Sequence, residues 1–229
     1  MLKNQIINLK VVEKVALALG ELNKEVIYVG GAVVSLYVTD ESAEQPRPTK
    51  DIDISVQIST YSQMEELREK LATKKIYPAQ TETVIYRYTY DKILIDFIPW
   101  EQTALGPTNS WLKPGFEKAY PVKIGNAEIH ILPVSLFLAT KWEAFKGRGK
   151  DHRTSHDFED IIHIIDNNID LLKDVKNAEE DVQVFLKEMS EHILFHSSRN
   201  EIIECHINPY TAKDRRELII DKLQKILEL

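Results

Sequence analysis

An α+β core followed by a helical second part is the fold class this sequence predicts, and three observations predict it. Runs rich in β-forming residues cluster before Pro133. After Pro133 nearly every segment carries apolar residues three and four apart, the spacing of a helix with one buried face. Residues 99–132 lie between the two patterns and hold four of the nine prolines, a density that favours irregular chain with short strands. Residues 1–132 and 133–229 are therefore the two domains expected.

Residues 5–22 place Ile6, Ile7, Leu9, Val12, Val15 and Leu17 at helical spacing, which predicts a first helix. "VIYV" at 26–29 is a short strand running into Gly30 and Gly31. "AVVSLYV" after the glycines has the length and apolar weight of a helix, and 40–50 (DESAEQPRPTK) reads as a loop. "DIDISVQI" is a strand, and "SQMEELREKLATKK" a charged surface helix. "TVIYRYTY" and "KILIDFI" are two further strands. "SLFLATKWEAF", "SHDFEDIIHII", "EEDVQVFLKEMSEHIL" and "KDRRELIIDKLQKILEL" are the helices of the second part.

Composition narrows the function. A formal charge of −7 argues against broad nucleic-acid binding, which needs a basic footprint, though a local basic cleft stays open. There is no run of about 18 apolar residues and no leader-like start, so no membrane partner is expected. The single cysteine, Cys205, can form no internal disulfide, which agrees with a cytoplasmic location.

The chemistry turns on three aspartates. In a strand, alternate residues share a face, so Asp51, Asp53, Ser55 and Gln57 line one side, and Ile52, Ile54, Val56 and Ile58 the other. A half-buried strand with a wet face would look the same. Asp96 is different, because "ILIDFI" sets a lone carboxylate inside an apolar run, where an unpaired charge would cost several kcal/mol. It requires a metal, a basic partner or a hydrogen-bond network, and Lys92 on its strand face offers a simple salt bridge. If the two strands are neighbours, Asp51, Asp53 and Asp96 form an oxygen donor set suited to Mg²⁺ or Mn²⁺. A strand–Gly-Gly–helix turn lets backbone approach a phosphate.

Gly30-Gly31, then Thr49-Lys50-Asp51-Ile52-Asp53-Ile54, then Asp96 between apolar neighbours resemble the nucleotidyltransferase superfamily that shares the DNA polymerase β catalytic core. The resemblance implies a mixed β-sheet with flanking helices, Mg²⁺ or Mn²⁺ as cofactor and a nucleoside triphosphate as substrate. It implies that Gly30 and Gly31, with Thr49 and Lys50, seat the nucleotide. Asp51 and Asp53 would hold the metal ions, and Asp96 would complete the metal set and help activate the acceptor hydroxyl. "LATKWEAFKGRGKDHRTSHDFEDIIHII" is similar to bacterial nucleotidyltransferases of the abortive-infection toxin type, whose lysine and later aspartate match Lys141 and Asp157. The partners this implies are a tRNA, protein or small-molecule acceptor and an antitoxin protein. A silent scaffold that binds a nucleotide or a partner is the alternative. Ala32 departs from the pattern, standing where many members carry serine or threonine, and the spacer from Gly31 to Asp51 is long.

Lys141, Lys146, Arg148, Lys150 and Arg153 make a basic cluster in an acidic chain. Such a segment either wraps a triphosphate, with Lys141 as a point charge and Arg148 gripping two oxygens, or is a solvated helix end. Asp157 and Asp160 would orient those cations from behind, with Ser155 as N-cap. His152 and His156 are four apart, but no glutamate follows His152 as a zinc-protease helix demands. Arg199 and His206 match a ribonuclease spacing too short to carry weight, and Phe185 and Phe195 read as core.

Overall fold

The computed structural model describes residues 7–80, 85–101, 108–149 and 151–229. The chain divides into two compact units: residues 1–33 with 47–132, and residues 34–46 with 133–229.

The first unit is built on a mixed seven-stranded sheet. Its strands are β1 (Val26–Val29), β2 (Asp51–Val56), β3 (Tyr77–Pro78), β4 (Arg87–Tyr90), β5 (Ile93–Pro99), β6 (Tyr120–Ile124) and β7 (Ala127–Ile131). Their order is β3-β4-β5-β2-β1-β7-β6. β2 runs parallel to β5 and antiparallel to β1, while β4 and β5 form an antiparallel hairpin. Asp91 and Lys92 turn that hairpin with φ of 46° and 67°, the left-handed pair that a two-residue connection needs.

Helix α1 (Leu9–Leu19) is capped by Asn8, whose side chain accepts from the Lys10 and Val11 amides, and it buries Val11, Val12, Val15, Ala16 and Leu19. It is shorter than the 5–22 expected. Part of that range lies outside the described residues, and Gly20 ends the helix in a 3₁₀ turn. α2 (Tyr61–Thr73) opens with a reciprocal Thr60–Gln63 capping box and buries only Met64 and Leu71, as a charged surface helix should. α3 (Leu112–Lys118) lies in the region expected to be irregular. "AVVSLYV" coils as a 3₁₀ segment, Gly31–Tyr37, and not as an α-helix. The strand expected over "TVIYRYTY" is ordered as β4 from Arg87, and Thr83 and Val84 fall outside the described residues.

Alternation decides which sheet face becomes core. Ile52, Ile54, Ile95, Phe97 and Tyr88 are essentially inaccessible on one face. Asp51, Asp53, Leu94, Ile98, Arg87 and Thr89 on the other are half-buried. That second face carries the candidate site.

The second unit is helical: α4 (Val134–Arg148), α5 (His156–Asn167), α6 (Leu171–Lys176), α7 (Glu180–Leu194), α8 (Arg199–Glu204) and α9 (Ala212–Glu228). α4 buries every residue from Val134 to Trp142, so it serves as the core of this unit. Residues 34–46 join the unit as a strap. The Thr39 and Asp40 amides donate to the Asn167 carbonyl, each at 3.0 Å, and the Asn168 side chain donates to the Tyr37 carbonyl at 2.7 Å. Arg215 on α9 reaches Asp40 at 3.3 Å and Asp166 at 2.7 Å. Lys222, also on α9, donates to the carbonyls of Ile165, Asp166 and Asn168 and so caps the end of α5. Phe195, expected in the core, is 77% exposed, and Phe185 lies half-buried beneath the Lys146 ammonium. Among the described residues, no helix is long and apolar enough to cross a membrane.

Candidate active site

The site on the sheet is set by strand register. Asp96 stands directly opposite Asp53 across the parallel β2–β5 pair, and Arg87 stands opposite Asp96 across the β4–β5 hairpin. Val29 faces Asp53 on the remaining side, which brings Gly30, the next residue, over that carboxylate. A row of Arg87, Asp96, Asp53 and the glycine turn therefore crosses four strands.

Gly30 is demanded twice over. Its φ is +69°, and a Cβ there would lie 1.8 Å from Asp53 Oδ2. The Asp53 carboxylate thus packs against the bare Cα of the turn. Gly31 is less constrained: a Cβ there would meet Arg47 Nη2 at 3.0 Å and Thr49 Oγ1 at 3.5 Å. Thr49 donates its hydroxyl to Asp51 Oδ1 at 3.2 Å. Lys50 is exposed on the approach to β2.

Asp96 finds its partner in Arg87 and not in Lys92, which the hairpin turn carries out of the strand. Arg87 Nε donates to Asp96 Oδ1 and Nη2 to Oδ2, both at 2.7 Å, a two-pronged grip that matches the carboxylate plane. The same Nη2 lies 3.4 Å from Asp51 Oδ2. The side chain of Asp96 is 8% exposed, that of Arg87 22% and that of Asp51 31%, so exposure rises from Asp96 through Arg87 to Asp51. Arg87 is a site residue that sequence reasoning missed. Its signal was a cation at hairpin distance from a buried acid, visible only once the turn is placed at Asp91-Lys92.

Among the described residues, no three His, Cys, Asp or Glu side chains are arranged to hold a metal ion by themselves. Two carboxylates, one of them partly open to solvent, do suit Mg²⁺, which usually takes one or two protein carboxylates and keeps water and phosphate oxygens for the rest.

In the helical unit, α4 and α5 bring together the other residues singled out from sequence. Lys141 is buried, 2.6 Å from Asp160 and 3.5 Å from Asp157. Arg148 grips Asp157 through Nε at 2.8 Å and Nη2 at 2.9 Å. Burial pushes the Asp157 carboxyl up, but the Arg148 hydrogen bonds and the Lys141 and Arg148 charges outweigh it and hold the group below its ordinary range. Ser155 caps α5, accepting from the Phe158 amide. Lys146 pairs with Glu188, and Arg153 with Asp151 and Glu201, while Lys150 lies outside the described residues. His156 meets Glu159, and His152 meets His192, their Nε2 atoms 2.9 Å apart. His206 donates Nε2–H to the His152 carbonyl, and Arg199 donates to its neighbour Asn200.

No protein-family model and no curated protein matches the chain. Solved structures do resemble it. An antigenic nucleotidyltransferase-like protein from Paracoccidioides brasiliensis superposes with a TM-score of 0.53 at 15% identity, over 87% of this chain and 93% of that one. JHP933 from Helicobacter pylori superposes with a TM-score of 0.46 at 12% identity, over 96% and 92%. The likeness to the first is one of fold: a mixed sheet with flanking helices, followed by helices, in a nucleotidyltransferase-like arrangement.

Proposed function

We propose that the chain is a divalent-metal-dependent nucleotidyltransferase. It would move a nucleoside monophosphate from a nucleoside triphosphate to an acceptor hydroxyl of a tRNA, a protein or a small molecule. The observation that carries this reading is the register of Asp53 with Asp96 beneath a glycine turn whose missing Cβ is filled by the Asp53 carboxylate. A wet strand face needs no such packing.

Asp51 and Asp53 would hold Mg²⁺ or Mn²⁺, which neutralises charge on the phosphate oxygens when bound. The backbone at Gly30 and Gly31, which carry no side chains of their own, would let phosphate oxygens come close, with Arg47 and Thr49 beside Gly31 and Lys50 exposed on the approach to β2. Asp96 accepts a hydrogen bond from the acceptor hydroxyl and orients it. The acceptor oxygen then bonds to the α-phosphorus, the bond from that phosphorus to the bridging oxygen breaks, and pyrophosphate leaves while the hydroxyl proton passes to Asp96 or water. Lys141 and Asp157 set the position of Arg148, whose guanidinium supplies positive charge at the end of α4. A toxin role, with an antitoxin protein as partner, is the setting proposed for this activity.

Calorimetry with a mixture of the four nucleoside triphosphates tests the reading. Binding is expected with Mg²⁺, and not with a chelator or in Asp53→Asn, because bare carboxylates repel phosphate. Equal affinity with and without metal would overturn it. A second reading, a catalytically silent nucleotide-binding scaffold, is favoured by the placement of Arg87 across Asp96 and Asp51. Metal-dependent nucleotide binding without pyrophosphate release, in the presence of tRNA and protein acceptors, would select it.

A further inference from the structure

His152, on the connection between α4 and α5, meets His192 of α7 through their Nε2 atoms, 2.9 Å apart. The ring centres are 5.2 Å apart and the ring planes differ by 20°. That separation is close to the greatest two imidazoles can have at this nitrogen distance, so the rings meet tip to tip. Two nitrogens aimed at each other in this way are held by one proton between them. They do not converge on a common point, so the pair suits a proton and not a chelated ion, in keeping with the lack of a three-ligand metal group among the described residues.

The surroundings make the proton count matter. Phe145 and Phe158 pack against the His152 ring and Trp142 against the His192 ring, at centre distances of 4.7, 4.9 and 5.0 Å. The charged and titratable groups facing the pair are Lys146 from α4, Glu188 and Glu191 from α7, His196 beyond it, His206 beyond α8, and Asp151 beside His152, while α5 presents Phe158. Asp151 is paired with Arg153, and Glu188 with Lys146. The His196 ring centre lies 4.6 Å from that of His152, and His206 donates to the His152 carbonyl at 2.7 Å. Burial, with His196 beside both rings, holds both below the ordinary imidazole range.

We propose that His152 and His192 form a latch that counts protons: it stays closed when the pair gains one proton and opens when it gains two, freeing residues 151–155 from α7. The first added proton settles on the outer nitrogen of the donating ring and leaves the inner hydrogen bond in place. The second sits on the accepting Nε2, and two N–H groups then face each other with no acceptor. A charged His152 ring without a hydrogen bond is costly between Phe145 and Phe158, so it turns out to water. The freed segment joins Arg148 at the end of α4 to Asp157 in the first turn of α5, so acid loosens the link between these ion-paired residues. The latch is independent of the reading of the carboxylate row.

Nuclear magnetic resonance of the full chain with isotope-labelled histidine nitrogens, from about pH 8 down to the onset of acid unfolding, tests it. A coupling between the two Nε2 atoms, across their hydrogen bond, is expected at the start, should survive the first titration step and should vanish with the second. Absence of the coupling at the start, its loss at the first step, or its persistence until the chain unfolds would each overturn the proposal. Amide hydrogen exchange in residues 151–155, corrected for the intrinsic effect of pH, should speed about tenfold as the coupling vanishes, while α4 and α7 stay protected. Exchange that speeds throughout the helical unit means unfolding and not a latch, and sinks the idea. His192→Gln keeps an acceptor that does not titrate, so exchange in the segment should stay slow at the acid end; His192→Ala should be fast at every pH. If His192→Ala does not fold, His192→Gln decides alone: the same acid acceleration as in wild type removes His192 as the switch, and the proposal with it.

Discussion

Gly30 and Gly147 show how the same residue type can carry opposite consequences. At Gly30 a methyl group would enter the Asp53 carboxylate, and the backbone lies in the left-handed region at φ +69°. Gly30→Ala should therefore cost about 1–3 kcal/mol in urea unfolding, from strain at φ together with displacement of Asp53. It should also abolish the metal-dependent nucleotide binding. Gly147 lies within α4 and has nothing within 4 Å of a built Cβ. Gly147→Ala should stabilise the protein by about 0.5 kcal/mol, because alanine is the better helix former and meets no obstruction. A loss of stability at Gly147 would mean that the end of α4 is packed more tightly than its open surroundings indicate.

Elements are held together by pairs of charges as well as by apolar faces. Lys141 on α4 lies between Asp157 and Asp160 of α5, and all three are almost inaccessible to water. Removing Lys141 takes a buried ammonium away from both carboxylates. Lys141→Met should lower unfolding stability by about 3–5 kcal/mol, the usual cost of an uncompensated buried charge. The double variant Lys141→Met/Asp160→Leu should recover a large part of that loss, since an apolar pair of similar volume needs no desolvation, and Asp157 keeps Arg148. Equal losses in the single and double variants would show that side-chain shape, and not charge, governs the α4–α5 contact.

At the scale of the whole molecule, partly buried imidazoles contribute to the acid limb of stability. Burial and the charges of His196 and His192 depress His152 from an ordinary 6.5 to about 4, and burial lowers His192 as well. A histidine whose folded value is depressed binds more protons when unfolded, so its contribution is full above about pH 6.5 and is lost as pH falls toward 4. Asp157, held below its ordinary range, adds a loss of the same sign below about pH 4. Asp166, raised by burial, has the opposite sign near the acid end of the window. The melting temperature should thus fall from pH 7 to pH 4, and His152→Asn should flatten that fall. Parallel curves for wild type and variant would remove His152 from the account.

Local pattern was enough for much of this protein. The alternation of Asp51-Ile52-Asp53-Ile54 named a strand and its two faces before any neighbour was known. The three-and-four spacing after Pro133 named α4, α5, α7 and α9, because burial of one helix face is written into consecutive residues. Ser155 announced the start of α5 for the same reason, a cap being a contact within a few residues. Only the tertiary structure decided which cation answers Asp96. Arg87 and Lys92 are both near it in sequence, and a two-residue turn at Asp91-Lys92 put one opposite the carboxylate and the other outside the strand. It likewise decided that residues 34–46 travel with the helical unit, through Asn167, Asn168 and Arg215, and that Lys141 is a buried partner of two acids and not a solvated helix end. Strand register and contacts across a hundred residues depend on which surfaces meet, and that is a property of the folded chain with no period along the sequence.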